Sequence, residues 1–245
     1  TSGITSRSPS ADHGGNLAIR RASSRCRHLN RSSLGEDDAG LASTPVDTPF
    51  MLLLSGPPGA GKSTVGRRVA SHFDPSACLE SDWMWTTIVK GLIPPWDSVA
   101  DLQNRAAIRA SLAASVRMVD AGYSTVVEGI IGPWHWDVVL DEVKSVLDVV
   151  SFIVLRPTLQ VCLDRASGRH DRVPGIPALR DPEPIQRMWQ KFSDLGRLEG
   201  HAFDNSLLDA DATEQGVLGL LESGANRIAA SGWDLRPPGG VADSH

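Results

Sequence analysis

The chain has 245 residues, 41% hydrophobic and 22% charged, with a net charge of −5 at neutral pH. That suits one substantial α/β domain with its own core. No apolar run approaches the ~18 residues of a membrane-spanning helix, and an acidic chain is a poor match for a phosphate backbone, so neither membrane insertion nor nucleic-acid binding is expected.

The charge is unevenly spread. Residues 1–47 carry six Arg against five acidic residues, whereas 48–245 carry 18 basic and 24 acidic side chains. The first segment is rich in Ser, Arg, Gly and Asp without apolar periodicity, and it reads as a disordered tail. Arg20-Arg21 is followed by no apolar stretch, so it is not read as a twin-arginine signal; the Arg- and Ser-rich start has a transit-peptide composition but no clear amphipathic helix. Cys26, Cys78 and Cys162 are odd in number and far apart, which argues against a disulfide framework or a structural zinc site and places the protein in a reducing cytoplasm.

From residue 48 onward, apolar strands alternate with helical patterns. Residues 50–54 form a run of buried-strand length, followed by a glycine loop and a helix over about 62–72. A short strand at 77–80 leads into Ser81-Asp82 and a short helix. Ile108, Leu112, Val116 and Val119 share one face of a longer helix that stops at Gly122. A strand at 125–128, a helix at 136–147 and a strand at 149–155 come next, then a helix at about 158–167. A Pro/Arg-rich loop covers 168–184. A helix carrying Ile185, Met188, Phe192 and Leu195, a short strand at 202–204 and a last helix at about 212–228 complete the domain, and 229–245 reads as a second tail. Five strands separated by helices predict a parallel sheet covered on both faces, a three-layer sandwich.

Gly56-Pro57-Pro58-Gly59-Ala60-Gly61-Lys62-Ser63 matches G-x-x-x-x-G-K-[ST], and Thr64 follows. Glycines let consecutive backbone N–H groups converge on phosphate oxygens, and the helix that opens there favours anions through its N-terminal donors. Lys62 supplies charge at the β/γ-phosphates and the Ser63 hydroxyl is a Mg²⁺ ligand in such loops. A buried strand before the loop and a helix after it supply the required context. ATP and Mg²⁺ are the expected cofactors.

In an open parallel sheet, ligands sit at the carboxyl ends of the strands. Three such ends carry polar residues. Asp82, after the second strand, is either a base that accepts the proton of an attacking hydroxyl or the N-cap of the next helix, a role Ser81 is able to take instead. Glu128, closing STVVEG, is either near the metal or paired with a neighbouring Arg. Arg165, Arg169 and Arg172 are spaced four and then three, so they share a face if the helix continues. They suit triphosphate binding within a flap hinged by Pro174, Gly175, Pro177, Pro182 and Pro184, or else they are ordinary helix-end cations.

With these residues assembled, the chain resembles the small-molecule kinases of the P-loop superfamily, most closely the chloramphenicol phosphotransferase-like group. It is more distantly similar to zeta-toxin, gluconate and shikimate kinases. The most specific stretch is VLRPTLQVCLDRASGRHDRVPG, where Arg156, Arg165, Arg169, Asp171-Arg172-Val173 and Gly175 fall at the family's spacing. The resemblance implies a core of adenylate-kinase type over about 49–228, with the Arg segment as lid. It further implies that Lys62 and Ser63 bind ATP-Mg²⁺, Asp82 is the base, Arg165 and Arg169 reach the phosphates, and Asn205 and Ser206 lie near the adenine. Several members end the third strand with adjacent carboxylates, whereas this chain has Glu128-Gly129.

Trp83 and Trp85 follow the candidate base, Trp134 and Trp136 follow the candidate metal-side acid, and Trp96 lies between. Flat aromatic walls suit a sugar face, an aromatic ring or a nucleobase, unless these side chains merely fill gaps in the core. The expected activity is transfer of the ATP γ-phosphate to a hydroxyl of a small, partly apolar molecule, antibiotic-like or metabolic. A nucleic-acid or nucleotide-sugar kinase, and an ATP-binding switch without transfer, are the alternatives.

Overall fold

The computed structural model describes residues 48–168 and 178–228. Both expected tails, and 169–177 of the expected flap, lie outside these residues. Five strands occur at β1 (Met51–Ser55), β2 (Ser76–Glu80), β3 (Ser124–Glu128), β4 (Val150–Leu155) and β5 (Ala202–Phe203). They form one parallel sheet in the order β2-β3-β1-β4-β5, so β1 is central and Leu54 stands beside Glu128 in the register. The helices are α1 (Lys62–Ala70), α2 (Asp82–Trp85), α3 (Asp101–Asp120), α4 (Trp136–Val143), α5 (Leu159–Ser167), α6 (Pro182–Phe192) and α7 (Ala210–Ser223).

Every residue of β1, β3 and β4 is buried, as a parallel sheet covered on both faces requires. Strand alternation then sorts the core into two layers. Met51, Leu53, Val127, Phe152 and Val154 face Ile108, Leu112 and Val116 of α3 and Val138 and Val139 of α4. Leu52, Leu54, Val126, Ile153 and Leu155 face Val65 and Val69 of α1 and Val217 of α7. Each buried aliphatic side chain contributes about 1.5–3 kcal/mol of transfer free energy. The three-layer sandwich expected from the sequence is therefore present.

Several expected boundaries differ: the helix expected over 136–147 ends at Val143, the helix expected to carry Leu195 ends at Phe192, and two further differences have plain physical reasons. The last helix ends at Ser223, not near 228, because Gly224 adopts a left-handed conformation (φ 66). The chain then turns back along β4, with Phe152 N–H donating to Asn226 O and Ile228 N–H to Val150 O, both at 2.9 Å. Pro182 and Pro184, expected in the flap, instead occupy the first turn of α6. There a missing N–H costs nothing, and Asp181 caps the turn by accepting from Glu183 N–H.

Candidate active site

The glycine loop joins the carboxyl end of β1 to α1 at the centre of the sheet, where the connections diverge to either side. Gly59 must be glycine. Its φ is +84, and a β-carbon there would stand 2.3 Å from the Cys162 carbonyl oxygen of α5. The turn is closed by Ala60 N–H donating to Pro57 O at 3.2 Å, and the Lys62 ammonium donates to the same carbonyl at 3.1 Å.

The strand register brings Glu128 to this loop. Ser63 Oγ donates to Glu128 Oε1 at 2.6 Å. Burial pushes the Glu128 carboxyl up to about 7, with the neighbouring Asp82 and Glu80 charges adding to it and Lys62 and the Ser63 hydrogen bond opposing it. Glu80, at the end of β2, is held by Arg67 of α1 at 2.5 Å. Ser81 N–H donates to Glu128 O at 2.9 Å, which fixes the start of α2 against β3. Ser81 takes the N-cap position, its hydroxyl makes no capping bond, and Asp82 is the first helical residue.

A cavity of about 720 Å³ opens from here. Its lining includes Pro58, Lys62, Ser63, Glu80, Asp82 and Glu128 at the strand ends, and Trp85, Trp96 and Trp134 among the aromatic residues. Of the five tryptophans expected around it, two do not line it. Trp83 is 42% exposed, and Trp136 is 1% exposed, its ring packed 4.9 Å from that of Phe152 in the core. For Trp136 the core-filling alternative holds.

The structure also places in the lining residues that sequence reasoning had passed over. Asp97, Asp101 and Asn104 come from the turn before α3 and its first half, and Arg187, Met188 and Lys191 from one face of α6. The spacing of three between Asp101 and Asn104 and of four between Arg187 and Lys191 places each pair on one helical face, but the sequence does not say that this face meets the cavity. His135 lines the cavity too. Burial lowers its pKa to about 4, so its imidazole is neutral near pH 7. Ser81 Oγ, Trp85 Nε1, Asn104 Oδ1 and His135 Nδ1 are buried polar atoms with no hydrogen-bond partner among the described residues. Such atoms cost about 1–3 kcal/mol each while unpaired.

Arg165, Asn205 and Ser206 gather on a different side of the glycine loop and do not line this cavity. Asn205 Nδ2 donates to Ala60 O at 3.0 Å, and Arg165 Nη2 donates to the carbonyls of Asn205 and Leu208. The Arg165 guanidinium lies near Gly61, 4.0 Å from where a β-carbon would be. Ser206 Oγ accepts from Thr158 N–H and donates to Asp204, tying the loop to the start of α5. Arg156 is held by Glu199 and the Phe192 carbonyl, a structural pairing. Thr64 is exposed on α1, and Gly56 and Pro57 are buried under the loop. Arg169 and Arg172 lie outside the described residues.

Ser63 and Glu128 form an oxygen-donor pair beside Lys62, the chemistry Mg²⁺ favours when phosphates and water complete its shell. Among the described residues no group of three or more His, Cys, Asp or Glu gathers as a metal cage. None of their helices is long and apolar enough to cross a membrane.

No protein-family model and no curated protein matches the sequence. Solved structures do. A sugar kinase from Janibacter sp. superposes with a TM-score of 0.52 at 18% identity, over 74% of this chain and 99% of that one. A shikimate kinase from Bacteroides thetaiotaomicron gives 0.51 at 18%, over 71% and 98%. The tunicamycin resistance protein of Deinococcus radiodurans gives 0.50 at 15%, over 71% and 95%. Likeness at such identities is a likeness of fold, and the chain has the fold of the P-loop kinases.

Proposed function

We propose that the chain is an ATP-dependent phosphotransferase that moves the γ-phosphoryl group of ATP-Mg²⁺ to a hydroxyl of a small, partly apolar molecule. The observation that carries this reading is one cavity lined by both kinds of residue it needs. Lys62, Ser63 and Glu128 belong to the phosphate loop and its metal side, Asp82 stands next to them, and Trp85, Trp96 and Trp134 supply an aromatic lining for an acceptor. Two of the solved neighbours are named as kinases of small molecules, a sugar kinase and a shikimate kinase. The finer resemblance to chloramphenicol phosphotransferases rests on a segment whose 169–177 portion lies outside the described residues.

In this reading the loop amides and Lys62 would hold the triphosphate, and Ser63 and Glu128 would hold a Mg²⁺ ion, which would supply charge neutralisation for the phosphates. The acceptor oxygen bonds to the γ-phosphorus as the bond to the β–γ bridging oxygen breaks. The hydroxyl proton passes to an Asp82 carboxylate oxygen, and ADP leaves. Arg165 stands by the loop as a phosphate-side cation, with Arg169 and Arg172 assigned to a lid. Asn205 and Ser206 are assigned to the adenine side.

The test is ADP release with ATP-Mg²⁺ against a panel of hydroxylated compounds, with mass spectrometry for the gain of one phosphate. Lys62→Ala should abolish nucleotide use. Asp82→Asn should keep ATP affinity near wild type and cut transfer by about 10²–10⁴-fold, the range of a lost general base. Equal turnover by the Asn variant removes Asp82 from that role, and tight ATP binding without turnover of any acceptor leaves two readings, an acceptor outside the panel or the non-catalytic switch, and favours the switch.

A further inference from the structure

The cavity lining carries charges of both signs, and several of them are already matched within the protein, Glu80 by Arg67 among them. Arg187 is paired with Glu183 at 2.6 Å. The Lys191 ammonium stands 5.4 Å from the ring centroid of Trp134, a cation–π contact. Asp97 accepts one backbone N–H, from Val99, and Asp101 begins α3. Neither carboxylate has an ion-pair partner among the described residues, and both line the cavity.

Aromatic rings and unmatched carboxylates in one cavity are what an organic cation requires: π-faces for its charge and carboxylates for its N–H groups. Two further side chains there are more than nine-tenths buried and short of a partner. Trp85, 6% exposed, has an unpaired Nε1–H, and His135, 5% exposed, has an unpaired Nδ1. A ligand carrying both hydroxyl and ammonium groups can serve a donor and an acceptor alike. The His135 ring, held neutral by burial, adds no competing positive charge.

We propose, building on the phosphotransferase reading, that the acceptor is a hydroxylated amine. Its hydroxyl is presented to Asp82, and its ammonium is recognised by Asp97 and Asp101 together with the rings of Trp85 and Trp96. Asp97 and Asp101 are then specificity-determining residues, separate from the transfer step.

Two measurements on the full chain test this. The first is a tryptophan-fluorescence titration with tetramethylammonium chloride at constant ionic strength, with sodium acetate as the anion control. A saturable response to tetramethylammonium and none to acetate is expected. Half-saturation should rise about tenfold in the Asp97→Asn/Asp101→Asn double variant, the scale of the Coulombic attraction lost when nearby carboxylates are neutralised, since this probe has no N–H to donate. Asn keeps the capping acceptor at 97, and circular dichroism checks the fold. No saturation, an equal response to acetate, or an unchanged midpoint in the double variant overturns the proposal. The second compares hydroxylated primary amines with their N-acetyl counterparts in the ADP-release assay. At least tenfold weaker use of the acetylated forms is expected, and equal use overturns the cation site while leaving the kinase standing. A saturable tetramethylammonium response with no ATP use at all does the reverse.

Discussion

Gly129 follows the last residue of β3, at a place where the resemblance would allow a second carboxylate. A β-carbon on residue 129 would stand 2.4 Å from Ser81 Oγ and 3.1 Å from Ser81 Cβ. The first distance is about 1 Å short of ordinary contact at ~3.5 Å. Ser81 has little freedom to yield, being 1% exposed and bonded through its N–H to Glu128 O at 2.9 Å. Gly129→Ala therefore forces either strain or a shift of Ser81, and Asp82 moves with Ser81. Overpacking of this kind costs about 1–3 kcal/mol, to be read as a lower urea midpoint. A displacement of about 1 Å at Asp82 should cut acceptor-dependent ADP release by about 10²-fold. Adding Ser81→Ala removes the closest atom, so the Gly129→Ala/Ser81→Ala protein should recover most of the lost stability. A Gly129→Ala protein with wild-type midpoint and turnover, or a double variant no better than the single one, refutes the steric account.

Glu128→Gln removes a buried carboxyl that titrates near pH 7 when folded, against about 4.5 as the ordinary value. The folded chain binds more protons than the unfolded one across that window, so wild-type stability falls as pH rises through it. In magnesium-free buffer the variant should therefore be more stable than wild type at pH 8 by up to about 3 kcal/mol, with no gain below pH 4.5, as urea melts at both pH values will show. His135 works in the opposite sense. Its folded pKa near 4 lies below the ordinary 6.5, so the unfolded chain takes up the proton first and stability declines as pH falls from 6.5 to 4. His135→Gln should flatten that slope, again by up to about 3 kcal/mol. Trp136→Ala should cost about 3–5 kcal/mol as a core cavity, whereas Trp83→Ala at an exposed position should stay within about 0.5 kcal/mol in the same thermal or urea melts.

The fold was legible because its signals are local. The run at β1, the glycine loop and the face of Ile108, Leu112, Val116 and Val119 each occupy one contiguous stretch, and the structure places them in a strand, a loop and a helix. Errors arose where a long-range contact overrides the local pattern. The residues after Gly224 read from the sequence as a continuation of the last helix, but β4 has a free edge there and the backbone pairs with it instead. Lys62, Ser63, Asp82 and Glu128 stood out because loops and strand ends mark them individually in the sequence, and the structure brings the four to one cavity. Arg187 and Lys191 were missed because α6 reaches the cavity only through tertiary packing, and nothing in the run PEPIQRMWQKF says which face meets it.

The tryptophans teach a narrower lesson. Trp83 and Trp85 are two apart in α2, and Trp134 and Trp136 are two apart across the turn into α4. In a strand that spacing puts both side chains on one face, but helical residues two apart point in well-separated directions. Only one member of each pair should then reach a common cavity, and that is the outcome: Trp85 and Trp134 line it, while Trp83 faces solvent and Trp136 enters the core. Clustering in the sequence thus overcounted the aromatic wall by two. The remaining wall is smaller, and the acids Asp97 and Asp101 weigh more heavily in it. Such a lining suits a polar, hydroxylated ligand with a charged group better than a large flat hydrophobe.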